Sequence, residues 1–375
     1  MSSIPTGCGS ASSPIRGERV VSDIHPALRT RFCELAGVVL PIVQTGMGWV
    51  SGARLTAATS AAGGLGILAS VTLTLPELEA AVVKVADRTD RPFGVNLRAD
   101  QADLAERIAC AAGAEVRVFS FAGAPTKHAI GAIHDAGGLV MPTVGARRHA
   151  EKMLEWGVDA VIAQGGEGGG HTGEVPTTLL VPQVVDAVGA EIPVVAAGGF
   201  FDGRGLVAAL SWGADAIAMG TRFLLTAESH VPDMVKRRYL EAGVTDTVRT
   251  TAVDGAPQRV IRTAVVERLM RAPVRRLPAA IRNAVAFARD TGTPVRQLLR
   301  EGLAMRRSQD LTWSQTAMAA NAPMMTKAAL VDGRLDAGIL PTGQVAGLIG
   351  SVPTVAQVID DIVTEAAAVL HRFGA

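Results

Sequence analysis

The residues best suited to chemistry lie in Gln164-Gly165-Gly166-Glu167-Gly168-Gly169-Gly170-His171-Thr172-Gly173, where six glycines surround one imidazole. Glycine at that density lets a flat ring lie against bare backbone, with Gln164 offering its amide to a polar ring edge. His171 would face that ring as a base near neutral pH. Ala197-Gly198-Gly199 and Met219-Gly220-Thr221 each close an apolar run. Backbone N–H groups freed by glycine at a helix start approach an anion closely, so the two segments together read as a phosphate cradle, and each alone as a tight turn. Asn96 pairs a donor with an acceptor for a heterocycle, or caps a helix. Gly46, Met47 and Gly48 put bare amides and a polarizable thioether beside a ring, or form a flexible turn.

These segments need a scaffold that gathers loops at one end. Short β-branched or apolar runs alternate with helical stretches from Val38 onward, the pattern of repeated βα units. Strands are predicted at Val38–Gln44, Leu65–Ala69, Pro92–Leu97, Val116–Phe121, Leu139–Val144, Ala160–Gln164, Pro193–Ala197 and Ala216–Met219. Eight in succession predict a closed (β/α)8 TIM barrel, whose reactive groups sit in loops after the strand C-termini and whose phosphate site commonly follows strands seven and eight. The open, doubly wound alternative lacks its G-x-G-x-x-G fingerprint after the first strand. A lone histidine is often a packing residue, but the barrel mouth favours a functional one. His128, His134 and His149 fall in helical stretches and read as surface or packing residues.

At 375 residues the chain exceeds the roughly 250 of one barrel, which leaves room for a subdomain. Residues 1–20 read as a mobile tail without the apolar core of a secretory signal, residues 21–235 and 332–375 as the barrel, and residues 236–331 as a mainly helical insert after strand eight. The insert is arginine-rich between Arg259 and Arg307, which reads as solvated amphipathic helices or as a basic lid. The mean hydropathy of +0.29 comes from Ala, Val and Gly, and glycines break the longest uncharged stretch, so no membrane span is predicted. A net charge of +1 gives no reason to expect nucleic acid as a partner. Cys8, Cys33 and Cys110 have neither metal-ligand spacing nor a disulfide pattern, which fits a cytoplasmic protein without a bound metal.

Taken together, the segments from Val38 to about Glu228, and Thr342-Gly343-Gln344-Val345-Ala346-Gly347-Leu348-Ile349 near the end, resemble the nitronate monooxygenase (2-nitropropane dioxygenase) family. The resemblance implies an FMN-dependent barrel that oxidises alkyl nitronates with O2. It implies FMN contacts at Asn96, Gln164, Gly169, Gly199, Ala218, Met219, Gly220 and Thr221, with His171 as the base that removes an α-proton from a nitroalkane. Thr45-Gly46 stands before Met47 where many members have Gly-Pro, which loosens the substrate assignment. FMN-dependent enoyl-acyl carrier protein reductases share the glycine-histidine loop, so the alternative is an NAD(P)H-dependent reductase of enoyl thioesters or quinones. A third reading, from another class, is a non-catalytic flavin-binding protein. All three Cys precede strand six, so the loop after it lacks the cysteine nucleophile of nucleotide dehydrogenases. The single tyrosine, Tyr239, lies beyond strand eight, away from the loops that would use a tyrosine proton donor.

Overall fold

A computed structural model describes residues 24–271 and 321–374. Eight parallel strands close a barrel in the order β1 (Ile42–Gln44), β2 (Leu65–Ala69), β3 (Phe93–Leu97), β4 (Val118–Phe121), β5 (Leu139–Val144), β6 (Val161–Gln164), β8 (Val194–Ala197) and β9 (Ala216–Met219). The ring closes where Ile42, Val43 and Gln44 pair with Ile217, Ala218 and Met219. Strands covered on both faces need apolar residues at odd and even positions, as a parallel sheet wrapped by helices requires. Val43, Ile67, Val118, Ile162, Val195 and Ala218 fill the interior. Their neighbours Ile42, Leu68, Phe119, Val161, Val194 and Ile217 pack outward on the helices. At Gly66 the helix Ala53–Ala61 comes so close that a Cβ would stand 2.1 Å from the Thr56 carbonyl oxygen, so no side chain fits there.

The barrel is open at one end only. Phe32 and Ala36, on the helix Arg31–Ala36, belong to the same cluster as the interior strand residues and stopper the N-terminal end. The first strand begins four residues later than expected. Val39 and Leu40 spend their N–H groups on the Gly63 carbonyl, and Pro41 has none to offer, so Val38–Pro41 is a turn. Cys33 sits buried in this stopper and Cys110 is half-buried on a helix; both are free thiols that burial pushes above their ordinary pKa. Cys8 and residues 1–20 lie outside the described residues.

Among the described residues beyond β9, strands stand beside the expected helices. Helices Asp233–Leu240, Ala264–Arg271 and Asn321–Leu330 are present, but β10 (Thr247–Thr250) and β11 (Gln258–Ile261) form a hairpin between them. That hairpin pairs with β7 (Gly170–His171), a two-residue strand inside the glycine-rich loop, in an antiparallel sheet of order β10-β11-β7. Alternating Val248/Thr250 and Gln258/Val260 carry the hairpin, a pattern that the run of arginines obscures. The arginines from Arg275 to Arg306 lie outside the described residues.

The final helix, Val355–Arg372, packs on Gly203–Ser211 and completes the outer layer. A capping box starts it. The Thr354 side chain accepts from the Gln357 N–H at 3.2 Å, and Gln357 Oε1 accepts from the Thr354 N–H at 2.9 Å. Thr354→Ala is expected to cost about 1 kcal/mol, read as a lowered urea midpoint with an unchanged slope. Among the described residues no helix is long and apolar enough to cross a membrane.

Candidate active site

Parallel pairing carries the ends of β8, β9 and β1 to adjacent positions at the open mouth. Gly198 and Gly199 follow β8 with φ of +96° and +86°, a left-handed pair that only glycine adopts without strain. The N–H groups of Gly199, Gly220 and Thr221 take no acceptor among the described residues, and Thr221 opens the short helix Thr221–Leu224. Three free donors on neighbouring loops suit an anion such as a phosphate. A Cβ on Gly199 would meet only Glu167 Cβ, at 3.7 Å, so the space above it is open. At Gly220 a Cβ would come within 3.3 Å of Met47 Sδ, which places Met47 at the edge of the cradle. Ala218 faces the barrel interior, whereas the Met219 side chain packs in the outer core and leaves only its backbone to the mouth.

Asn96 lies beneath the β1 loop. It is buried, its Nδ2 donates to Ser120 Oγ at 3.0 Å, and a Cβ on Gly46 would stand 2.3 Å from its own Cβ. Glycine at position 46 is therefore required by Asn96. Gly48 similarly abuts Thr72, 3.1 Å from where its Cβ would be. The same loop ends at Trp49, which holds a left-handed φ of +62°. Its indole donates to the Pro323 carbonyl at 3.0 Å and lies 5.5 Å beneath the Lys327 ammonium. Non-glycine residues in this conformation cost about 1–3 kcal/mol and are held by their surroundings. Here the helix Asn321–Leu330 does the holding.

The glycine-rich loop is closed by backbone as much as it is opened for a ring. Gln164 Nε2 donates to the His171 carbonyl at 2.8 Å, folding the loop back over β6, and Gly168 packs on the same Gln164 side chain. Glu167 Oε2 accepts from the Thr177 N–H at 2.9 Å and from its hydroxyl at 2.6 Å, capping the helix Thr177–Val188. Gly169 is pressed onto Thr342 and Gly343, and the Gln344 N–H donates to the Glu167 carbonyl at 3.0 Å. Gly343 in turn donates to Thr221 Oγ1 at 2.9 Å, so the Thr342–Gln344 segment ties the histidine loop to the cradle. Arg259 on β11 gives two N–H groups to the Gly166 carbonyl, at 3.0 and 2.8 Å. Burial holds this guanidinium below its ordinary pKa, opposed by the nearby Glu167 carboxylate.

His171 stands on β7 with its side chain 62% exposed, and its Nε2 meets Asp254 Oδ2 at 2.7 Å. Asp254 is only 6% exposed, and its Oδ1 accepts from the Ala256 N–H at 3.1 Å. An exposed imidazole held on one nitrogen by a buried carboxylate can accept a proton from a substrate. Neither Asp254 nor Arg259 follows from local pattern. Asp254-Gly255-Ala256-Pro257 signals a turn, but its partner lies 83 residues upstream. His128, His134 and His149 are exposed on outer helices, and His134 pairs with Asp159 at 2.9 Å. Tyr239 is buried with its hydroxyl donating to the Pro341 carbonyl at 2.9 Å, and burial pushes its phenol up, out of reach as a proton donor. Among the described residues no group of three or more His, Cys, Asp or Glu is placed to hold a metal ion.

Comparison with known proteins gives consistent matches. A family model for nitronate monooxygenase matches residues 29–114 and 104–365. A relative from Mycobacterium tuberculosis, (3aS,4S,5R,7aS)-5-hydroxy-7a-methyl-1-oxo-octahydro-1H-indene-4-carboxyl-CoA dehydrogenase, is 57% identical over 90% of this chain and 96% of its own. FabK from Thermotoga maritima superposes with a TM-score of 0.76 at 33% identity, covering 92% of this chain and 98% of its own. Nitroalkane oxidase from Streptomyces ansochromogenes does so with a TM-score of 0.70 at 27% identity, covering 91% and 99%.

Proposed function

The chain belongs to the nitronate monooxygenase family and is an oxidoreductase; from that premise we propose that it binds FMN in the barrel mouth and dehydrogenates a CoA thioester of a hydroxylated fused-ring acid. The observation that carries the substrate class is the match to the indene-carboxyl-CoA dehydrogenase, which runs through the barrel, the glycine loop and the chain beyond β9. The nitroalkane oxidase match is weaker in identity, and the departure at Thr45-Gly46 falls in a loop at the mouth.

The residues present fit the cofactor. Gly199, Gly220 and Thr221 would hold its phosphate through their free N–H groups, with Gly198 shaping the turn. Gly46, Met47, Gly48, Asn96 and Ala218 would border the ring, and Gln164 and Gly169 hold the loop that carries His171 over it. Bound FMN supplies a two-electron acceptor. His171 takes the proton that leaves the substrate as the electron pair departs, and Asp254 offsets the charge the imidazole gains. The ring is exposed, so a substrate can reach it without a rearrangement of the loop.

A second reading has the same base serve a nitroalkane, with O2 as co-substrate; the family model favours it. One experiment separates the readings. Flavin absorbance of the purified protein is followed without oxygen while the bicyclic hydroxyacyl-CoA, propyl nitronate, NADH and NADPH are added in separate samples. Bleaching by the acyl-CoA and not by the nitronate is the expected result. Bleaching by nitronate alone would move the assignment to nitronate oxidation, bleaching by a nicotinamide alone to a reductase, and a colourless protein that takes up no FMN would overturn the cofactor.

A further inference from the structure

We propose that Asp254 is the positioning residue for His171: its carboxylate receives the Nε2 proton and so presents Nδ1 as the ring atom that takes the proton of the substrate. This deepens the function proposed above and rests on His171 being its base. A histidine has two ring nitrogens, and the hydrogen bond at one decides the state of the other. As a carboxylate, Asp254 can only accept, so at 2.7 Å the proton between the two groups belongs to Nε2. Nδ1 makes no hydrogen bond to any described residue, and the side chain as a whole is 62% exposed.

Three features separate this contact from an incidental ion pair. The carboxylate is buried although the imidazole is not, and a buried carboxylate is costly unless its oxygens are satisfied. Asp254 satisfies one with the Ala256 N–H and keeps the other for the ring. The arginines of the hairpin strands are engaged elsewhere: Arg249 and Arg259 are register partners, Arg249 pairs with Glu174, and Arg259 serves the Gly166 carbonyl and Thr247. The backbone of the histidine is fixed by the same hairpin as its ring. Gln258 and His171 are β-ladder partners, and the Thr172 N–H donates to the Pro257 carbonyl at 3.1 Å. Backbone and imidazole therefore move together with the turn that carries Asp254.

The test uses holoenzyme labelled with 15N in histidine, with the His171 signals assigned by their loss in His171→Gln. In the wild type His171 is expected to show a protonated Nε2 and an unprotonated Nδ1, and Asp254→Asn, which keeps the shape and can still serve Ala256, is expected to lose that single tautomer. The same variant should reduce the rate of flavin reduction by substrate about 10²-fold or more, since a histidine base left in the wrong tautomer loses most of its effect, with little change in KM. A wild-type His171 protonated on Nδ1, or an Asp254→Asn spectrum and kcat matching the wild type, would overturn the proposal. The tautomer is read without turnover. Failure of the base assignment would appear separately, as full activity in a His171 variant whose parent shows the expected tautomer.

Discussion

Replacing His171 with alanine is expected to lower turnover of a neutral substrate by about 10²–10⁴-fold while the protein keeps its FMN. The imidazole makes none of the contacts that build the cradle: those come from Gly199, Gly220 and Thr221, and the loop is held through the His171 carbonyl, which survives the change. The variant does leave Asp254 with one oxygen facing the opening, where water replaces the ring. A small loss of stability is therefore expected, not a loss of fold. The measurements are the flavin-to-protein absorbance ratio, which should match the wild type, and stopped-flow reduction by substrate. A substrate supplied already as an anion needs no base and should be spared. Undiminished reduction of the neutral substrate would remove His171 from the chemistry.

The second large effect falls on the cofactor. A methyl group on Gly169 would stand 2.4 Å from the Thr342 carbonyl carbon and 2.5 Å from the Gly343 nitrogen, both backbone atoms with nowhere to retreat. Gly343 also donates to Thr221 Oγ1, so pushing the segment away disturbs the cradle on its far side. Overpacking of this kind costs about 1–3 kcal/mol. If that falls on the binding-competent state, FMN affinity drops by about 5- to 150-fold in Gly169→Ala. Titration of apoprotein with FMN, followed by flavin fluorescence, measures it. Gly113→Ala is the control, since a Cβ there meets nothing within 4 Å. Equal affinity in the two variants would show that the Gly169 contact gives way without cost.

The barrel was legible because each strand is a short apolar run between punctuating residues. Leu65–Ala69, Leu139–Val144 and Ala216–Met219 have the predicted bounds, whereas Val38 overshoots the first strand because Pro41 ends the turn before it. Local pattern also places Asn96 and Gln164 at the ends of strands, and His171 and the paired glycines in the loops that follow strands, at one end of the barrel. It does not tell what each glycine is for. Gly46 and Gly169 read as places for a ring to lie, and both are also places where another part of the chain presses in. Strand β7 is two residues long, too short for any periodicity, and its partner hairpin sits in a stretch whose arginines suggest helix. Asp254 and Arg259 reach the loop only through that pairing. Contacts of this separation leave no mark in a local window, since the residues at each end are ordinary for the turn or strand that carries them.

The order of these parts along the chain has a consequence for how the enzyme comes into being. All eight barrel strands have been synthesised by Met219, but the groups that set the histidine, Asp254 and Arg259, and the Thr342–Gln344 strap come afterwards. Most of the groups at the mouth, His171 among them, are therefore synthesised before the hairpin and strap that hold them. On the proposed function, the orientation of the base is completed only once the hairpin pairs with the loop and the strap lies across the glycines.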